Sequence, residues 1–285
     1  MSPTTAQESR SMIHVGQENT TPIDLYYEDH GSGKPVVLIH GWPLDGASWE
    51  KQTAALLATG HRVITYDRRG FGKSSQPATG YEYDTFAADL SKVLNALDLH
   101  DVALVGFSMG GGEVARYLGT YGAERVSKAV FIGAVTPFLL KSSDNANGVD
   151  QSVFDGIQKG LANDRPGFLA QFLHNFYNVD VLGGKLISDE AVKSSWTVAV
   201  GASAKGTHDC VKAWYTDFRK DLAKIDVPTL VIHGEQDRIV PIAIAGALTH
   251  ASIKGSKYVP VKDAPHGLLW THAEQVNAEL VSFLE

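Results

Sequence analysis

Short β-branched runs alternate with stretches of helical period along this chain, and that alternation predicts a mostly parallel sheet covered by helices. Ile23 to Glu28 switches between apolar and polar positions, as a strand of an antiparallel edge hairpin does. Pro35 to His40 (PVVLIH) is almost wholly apolar, the pattern of a strand buried on both faces. Arg62 to Tyr66, Val102 to Phe107, Lys128 to Ile132, Pro228 to His233 and Lys257 to Val261 read as further strands. Between them, Ser48 to Ala58, Tyr83 to Leu97, the stretch after Phe107 through Tyr121, and His272 to Leu284 carry helical spacing.

The rhythm breaks between the strands at 128–132 and 228–233. No convincing strand falls there, yet Phe154, Phe168, Phe172, Phe176, Tyr177, Trp196 and Trp214 do. Connections in such folds normally take a handful of residues. Residues 139–222 therefore read as a helical cap over one edge of the sheet, with 12–138 and 223–285 forming the core. A separate helical domain is the alternative. Residues 1–11 are polar and read as a frayed, disordered tail rather than a secretory signal.

Composition narrows the choice of function. The 285 residues hold 25 Lys and Arg against 32 Asp and Glu, a formal charge of −7. Acidity spread over the chain argues against nucleic-acid or anionic-membrane partners, which need a basic face. A single cysteine, Cys210, excludes an internal disulfide. The longest aliphatic run, Val36 to Ile39, is far too short to span a bilayer. The expected address is the cytoplasm.

The most informative stretch is Gly106-Phe107-Ser108-Met109-Gly110, a G-x-S-x-G between a predicted strand and a predicted helix. A serine on such a turn is exposed in a strained conformation, and the flanking glycines let strand and helix approach closely. The Met109 N–H, at the helix N-terminus, can hold a developing oxyanion on whatever bonds to Ser108. A serine hydroxyl needs a base, itself oriented by a carboxylate. His266, between Pro265 and Gly267 after the last strand, is the favoured base among eleven histidines. His40 and His233 end buried strands and read as satisfied core histidines. For the acid, Glu235 and Asp237 both follow the strand at 228–233; Asp237 is favoured, with Asp263 a weaker candidate. A second oxyanion donor is expected in His40-Gly41-Trp42-Pro43, where the Trp42 N–H is free and Pro43 holds Trp42 extended with its carbonyl near the site. Gly70-Phe71-Gly72-Lys73-Ser74 resembles a phosphate loop but has Asp67 where that motif needs glycine. No dinucleotide fingerprint follows a strand, and no metal-ligand set is credible, so no cofactor or metal is expected.

With these residues in place the chain resembles the α/β-hydrolases, and more closely the cofactor-free (non-haem) haloperoxidases, perhydrolases and aryl esterases. The segments that carry the resemblance are VVLIHGWPLDGASWE at 36–50, VITYDRRGFGKSSQP at 63–77, YDTFAADL at 83–90 and VGFSMGGGEVARY at 105–117. DFRKDL at 217–222, DVPTLVIHGEQDRIVP at 226–241 and APHGLLWTH at 264–272 follow. Glu235 departs from relatives that often carry aspartate or a neutral residue there. The resemblance implies an α/β-hydrolase fold with an eight-stranded sheet and a cap inserted after the sixth strand. It also implies a Ser108–Asp237–His266 triad, oxyanion donors at Trp42 and Met109, no haem or metal, and assembly as a trimer or a dimer of trimers. Pro43 resembles the proline of members that favour peroxide.

The expected chemistry is acyl transfer from small esters to water, or to hydrogen peroxide with release of a peracid. Trp42, Pro43, Met109, Val135, Phe172, Phe176 and Ile239 are the expected apolar wall. Such a wall suits short acyl or small aryl esters and offers no cationic partner for a charged acid. A lactam or lactone hydrolase on the same triad is one alternative. A non-catalytic ligand receptor on a hydrolase fold is another. Dehalogenases and epoxide hydrolases place aspartate where this chain has Ser108, which disfavours both.

Overall fold

The structure is a computed structural model that describes residues 11–285. Of the expected tail, residues 1–10 lie outside the described residues; the Ser11 carbonyl accepts a hydrogen bond from the Tyr27 N–H at 3.0 Å.

Eight strands form one sheet. They are β1 (Met12–Glu18), β2 (Thr21–His30), β3 (Pro35–Ile39), β4 (Arg62–Tyr66), β5 (Val102–Phe107), β6 (Val126–Ile132), β7 (Thr229–Gly234) and β8 (Lys257–Val261). Their order in space is β1-β2-β4-β3-β5-β6-β7-β8. The pairs β1–β2 and β2–β4 are antiparallel, and every other neighbour is parallel. The sequence pattern predicts the other seven strands and not β1. It buries only Ile13 and Val15, and its register shifts between His14 and Gly16, which breaks the alternation.

Eleven α-helices and one 3-10 turn (Gly46–Trp49) complete the described chain. α1 (Glu50–Ala58), α2 (Tyr83–Ala96) and α3 (Met109–Tyr121) connect the first parallel strands. α4 (Gln151–Phe176), α5 (Val179–Leu182), α6 (Asp189–Gly201), α7 (Ala204–Ala213) and α8 (Arg219–Leu222) lie between β6 and β7. α9 (Gly246–Ser252), α10 (Leu268–Thr271) and α11 (Ala273–Leu284) follow. The short α9 and α10 have no counterpart in the sequence reading, because seven and four residues hold too little periodicity to detect. α4 is two helices in one. Asp164 leaves helical geometry (φ −149°, ψ 83°) ahead of Pro166, and its carboxylate then caps Gly167 N–H at 3.1 Å. Residues 139–222 carry α4 to α8, and no sheet strand interrupts them. No helix among the described residues is long and apolar enough to cross a membrane.

The topology positions the site. From β3 the chain crosses through α1 to β4 on one side; from β5 it crosses through α3 to β6 on the other. Right-handed crossovers in opposite directions put the two helices on opposite faces and open a crevice at the carboxyl ends of β3 and β5. Ile39 pairs with Gly106, so the loop at 40–43 and the turn at 107–109 leave the sheet side by side.

Two glycines make that turn possible. A Cβ on Gly106 would lie 2.4 Å from the Gly110 carbonyl oxygen, and one on Gly110 would lie 2.2 Å from that of Ile39. Both obstacles are backbone and cannot swing away. Gly106→Ala is expected to destabilise the fold by about 3 kcal/mol or more, the upper range for overpacking a core. A chemical-denaturation midpoint close to wild type contradicts this.

Candidate active site

Ser108 sits between the last residue of β5 and the first of α3 with φ 54° and ψ −117°. A non-glycine residue in this region costs about 1–3 kcal/mol and persists only where its surroundings impose it. Here they do. The Ser108 N–H donates to the Ile132 carbonyl at 2.8 Å, and its own carbonyl accepts from Gly111 N–H at 3.0 Å and Val135 N–H at 3.3 Å.

The geometry joins three of the expected residues. His266 Nε2 lies 2.9 Å from Ser108 Oγ, and His266 Nδ1 lies 2.6 Å from Asp237 Oδ2. The second carboxylate oxygen, Oδ1, accepts from the N–H groups of Ile239 (2.9 Å) and Val240 (2.8 Å). The side chains of His266 and Asp237 are fully buried. Burial alone raises a carboxyl pKa. The charge and hydrogen bond of His266, with His233 close by, outweigh it and hold Asp237 well below the usual carboxylate range. An ionised carboxylate only accepts, so His266 carries its proton on Nδ1 and turns the Nε2 lone pair to the serine hydroxyl. Glu235 and Asp263, the other candidate acids, are exposed and make no bond to His266.

Two loops meet to bring the base and acid together. Gln236 N–H donates to the Ala264 carbonyl at 2.9 Å. A Cβ on Gly234 would collide with that same carbonyl at 2.4 Å, so only glycine lets the loops close. Gly267 N–H donates to the Phe176 carbonyl at 2.8 Å, tying the histidine loop to the end of α4. Phe107 and Phe176 pack on the His266 ring, with centroids 5.1 and 5.0 Å away.

On the other side of Ser108 lies the loop after β3. The N–H groups of Trp42 and Met109 have no acceptor among the described residues, so both are free for a ligand oxygen. The Trp42–Pro43 peptide is cis. Trp42 Nε1 donates to the Thr207 carbonyl at 3.1 Å, and its ring meets Phe172 and Trp214 edge-on at 4.8 and 4.9 Å. Residues of α4 and α7, with Trp214 just after α7, thus hold the loop.

His40 is a satisfied core histidine. Its Nδ1–H donates to the Gly41 carbonyl at 2.9 Å, and Nε2 accepts from Arg68 N–H at 2.9 Å. Burial, then the Arg68 charge, holds its pKa well below the ordinary imidazole value. Sequence reading missed the residues behind it. Arg68 Nη2 donates to the His40 carbonyl at 2.9 Å, and Nε donates to Glu113 of α3 at 2.8 Å, with both side chains buried. This ion pair links the Trp42 loop to the helix that begins beside Ser108. Two buried charges 45 residues apart carry no periodic signal, and only their meeting in space exposes them.

A cavity of about 290 Å³ opens onto Ser108. Of the expected wall, Trp42, Val135, Phe172 and Ile239 line it, joined by Phe154, Phe168 and Trp214. Phe176, Pro43 and Met109 do not. Phe176 lies one helical turn beyond Phe172, against His266, and lines a separate cleft of about 90 Å³. Pro43 and Met109 are buried within the turn and the loop. The expectation of no cation also fails: Arg238 lines the cavity, together with Gln171 and Asn175. Its guanidinium pairs with Asp180 of α5 at 2.8 Å. His233 differs from expectation as well. Its Nε2 lies 2.8 Å from the Val240 carbonyl and 3.2 Å from Asp237 Oδ2, but its buried Nδ1 has no partner.

Among the described residues no three His, Cys, Asp or Glu side chains gather as metal ligands. Cys210 is buried in α7, and burial pushes its thiol pKa far up, away from nucleophilic chemistry.

Comparison with known proteins agrees with this architecture. A family model for the α/β hydrolase fold matches residues 34–273. A Synechocystis sp. protein whose inferred name is non-heme chloroperoxidase is 60% identical over 273 residues, covering 96% of this chain and 99% of its own length. The bifunctional esterase/perhydrolase of Acinetobacter calcoaceticus is 37% identical over 270 residues, covering 92% of this chain and 96% of that one. The crystal structure of a bromoperoxidase from Bacillus anthracis superposes with a TM-score of 0.93 at 53% identity, covering 97% of this chain and 99% of that one. The strained serine turn, the histidine within reach of it and these likenesses converge: the chain belongs to the α/β-hydrolase fold family and, within it, to the non-haem haloperoxidases.

Proposed function

We propose that this chain is a serine esterase that also acts as a perhydrolase, making peracids from carboxylic acids and hydrogen peroxide, with halide oxidation as a downstream consequence. The observation that carries the reading is the continuous chain of hydrogen bonds Ser108–His266–Asp237 at a largely apolar cavity, beside two uncommitted backbone N–H groups. The esterase/perhydrolase named above supports the pairing of the two activities.

In the proposed cycle, His266 Nε2 takes the Ser108 proton as Oγ bonds to the substrate carbonyl carbon. The carbonyl oxygen becomes an oxyanion and accepts from the Trp42 and Met109 N–H groups. Collapse breaks the bond to the leaving oxygen, which receives the proton from His266 and departs as the alcohol of an ester or as water from a carboxylic acid. Water then attacks the acyl-serine and yields the acid; hydrogen peroxide in its place yields the peracid. A peracid oxidises bromide to hypobromite in free solution and reverts to the acid, so no halide site is required. The aromatic and aliphatic wall suits short acyl groups or small aryl esters. Lactam or lactone hydrolysis would use the same residues and gains no support of its own. The reading extends to a cytoplasmic protein acting on small molecules and assembling as a trimer or a dimer of trimers, which sedimentation velocity tests.

Three assays on purified protein test the chemistry: turnover of an aryl acetate, bromination with acetate, peroxide and bromide, and labelling by a fluorophosphonate. Steady ester turnover, peroxide-dependent bromination and one label per chain on Ser108 are expected. A labelled protein that releases one burst without turnover favours the receptor alternative and overturns the proposal.

A further inference from the structure

We infer that His233 is a positioning residue for the catalytic acid, its imidazole N–H acting as the fourth hydrogen-bond donor to Asp237. The inference rests on the reading of Asp237 as the triad acid and adds a member that the three-residue arrangement does not include.

His233 lies at the end of β7, four residues before Asp237, and its side chain is fully buried. Its Nε2 faces two groups that only accept: the Val240 carbonyl, its hydrogen-bond partner at 2.8 Å, and Asp237 Oδ2, a longer contact at 3.2 Å that the same N–H reaches as a shared bond. Nε2 must therefore carry the proton. Nδ1 has no partner and lies against Gly246, where a Cβ would come within 2.6 Å of it. A bare ring nitrogen in the interior carries a desolvation cost that leucine or phenylalanine would avoid. What histidine supplies at this position, and an apolar side chain does not, is the N–H.

The carboxylate thus accepts three hydrogen bonds and, beside them, the longer shared contact from His233. Ile239 and Val240 N–H groups hold Oδ1, while His266 and His233 share Oδ2. A second donor on the oxygen that bonds His266 fixes the plane of the carboxylate. It also draws negative charge from that oxygen, so the proton stays on His266 Nδ1 when His266 gains the serine proton. Other charged groups are turned away. Arg238 reaches out to Asp180, Glu235 and Asp263 are exposed, and His250 of α9 bonds Ser256 and stacks on Tyr258.

Without the His233 N–H, Asp237 Oδ2 becomes a stronger base and over-stabilises protonated His266. The acidic limb of kcat/KM for an aryl acetate then moves to higher pH. His233→Phe is expected to raise it by about half a pH unit or more. It also lowers kcat by about tenfold or more, the scale seen when partners that orient a reactive imidazole are removed, with KM nearly unchanged. His233→Gln, whose amide N–H can reach the same oxygen, is expected to return the limb to its wild-type position. Should His233→Phe fail to fold, His233→Met, flexible and without a donor, carries the same measurement. A limb that stays at the wild-type position in the donor-free variant overturns the inference, as does a folded Gln variant that behaves like Phe or Met. Ser108→Ala, assayed in parallel, separates the two levels: turnover surviving there sinks the triad reading itself. An inert Ser108→Ala with an unmoved limb in the His233 variants sinks only the role of His233.

Discussion

Ser108→Ala is expected to lower kcat for ester turnover by about 10⁵- to 10⁶-fold and to abolish peroxide-dependent bromination. The argument is one of shared intermediates. In the proposed cycle hydrolysis and perhydrolysis both pass through an acyl group on Ser108 Oγ, which lies 2.9 Å from the His266 imidazole. Removing that oxygen removes the common step, so the two activities fall together. The residual rate comes from the Trp42 and Met109 N–H groups and from binding. Alanine at this turn keeps the same backbone strain, since any residue with a Cβ experiences it, and folding should be preserved. Bromination that persists while ester turnover disappears refutes a common acyl-enzyme and points to separate peroxide chemistry.

Asp237→Asn is expected to cost about 10⁴-fold in kcat while leaving KM close to wild type. The amide is nearly isosteric but carries two N–H groups. The backbone N–H donors of Ile239 and Val240 claim its one oxygen at the Oδ1 position. That turns the amide nitrogen to His266 Nδ1, which must then accept, so the imidazole proton moves to Nε2 and no lone pair faces Ser108. Stability changes too, with a defined sign. Asp237 titrates lower in the folded chain than in the unfolded one, so its ionised form stabilises the fold above the ordinary carboxylate pKa of about 3.9. That contribution fades as pH falls below this value toward the folded-state pKa. The gap in melting temperature between wild type and Asp237→Asn should therefore be largest near neutrality and shrink in acid. A gap that widens with acidification contradicts the ionised state assigned to Asp237.

The divide between what was readable and what was not follows the range of the interactions. β5 and the serine turn were legible because buried apolar runs and paired glycines are local requirements: a strand covered on both faces needs the first, and backbones in contact need the second. The helical content between β6 and β7 was legible for a related reason, since a long aromatic-rich stretch without strand periodicity has few other uses. His266 and Asp237 follow the last two strands, and the sheet brings His266 to Ser108 across 158 positions and to Asp237 across 29.

The remainder depended on side chains that meet at long range. The amino-acid order alone determined seven of the eight strands, the turn that strains Ser108 and the short list of residues able to serve it, because buried apolar runs, paired glycines and a place after a strand are local features. Tertiary structure decided that Phe176 braces His266 rather than lining the cavity, and that Arg238 reaches the cavity wall. It also decided that Arg68 and Glu113 meet behind the Trp42 loop, and that His233 leans on Asp237 with one nitrogen bare. Such contacts are set by helix rotation and loop closure, to which hydrophobic periodicity is blind: it says which side of an element is buried, and leaves open which neighbour each buried atom will touch.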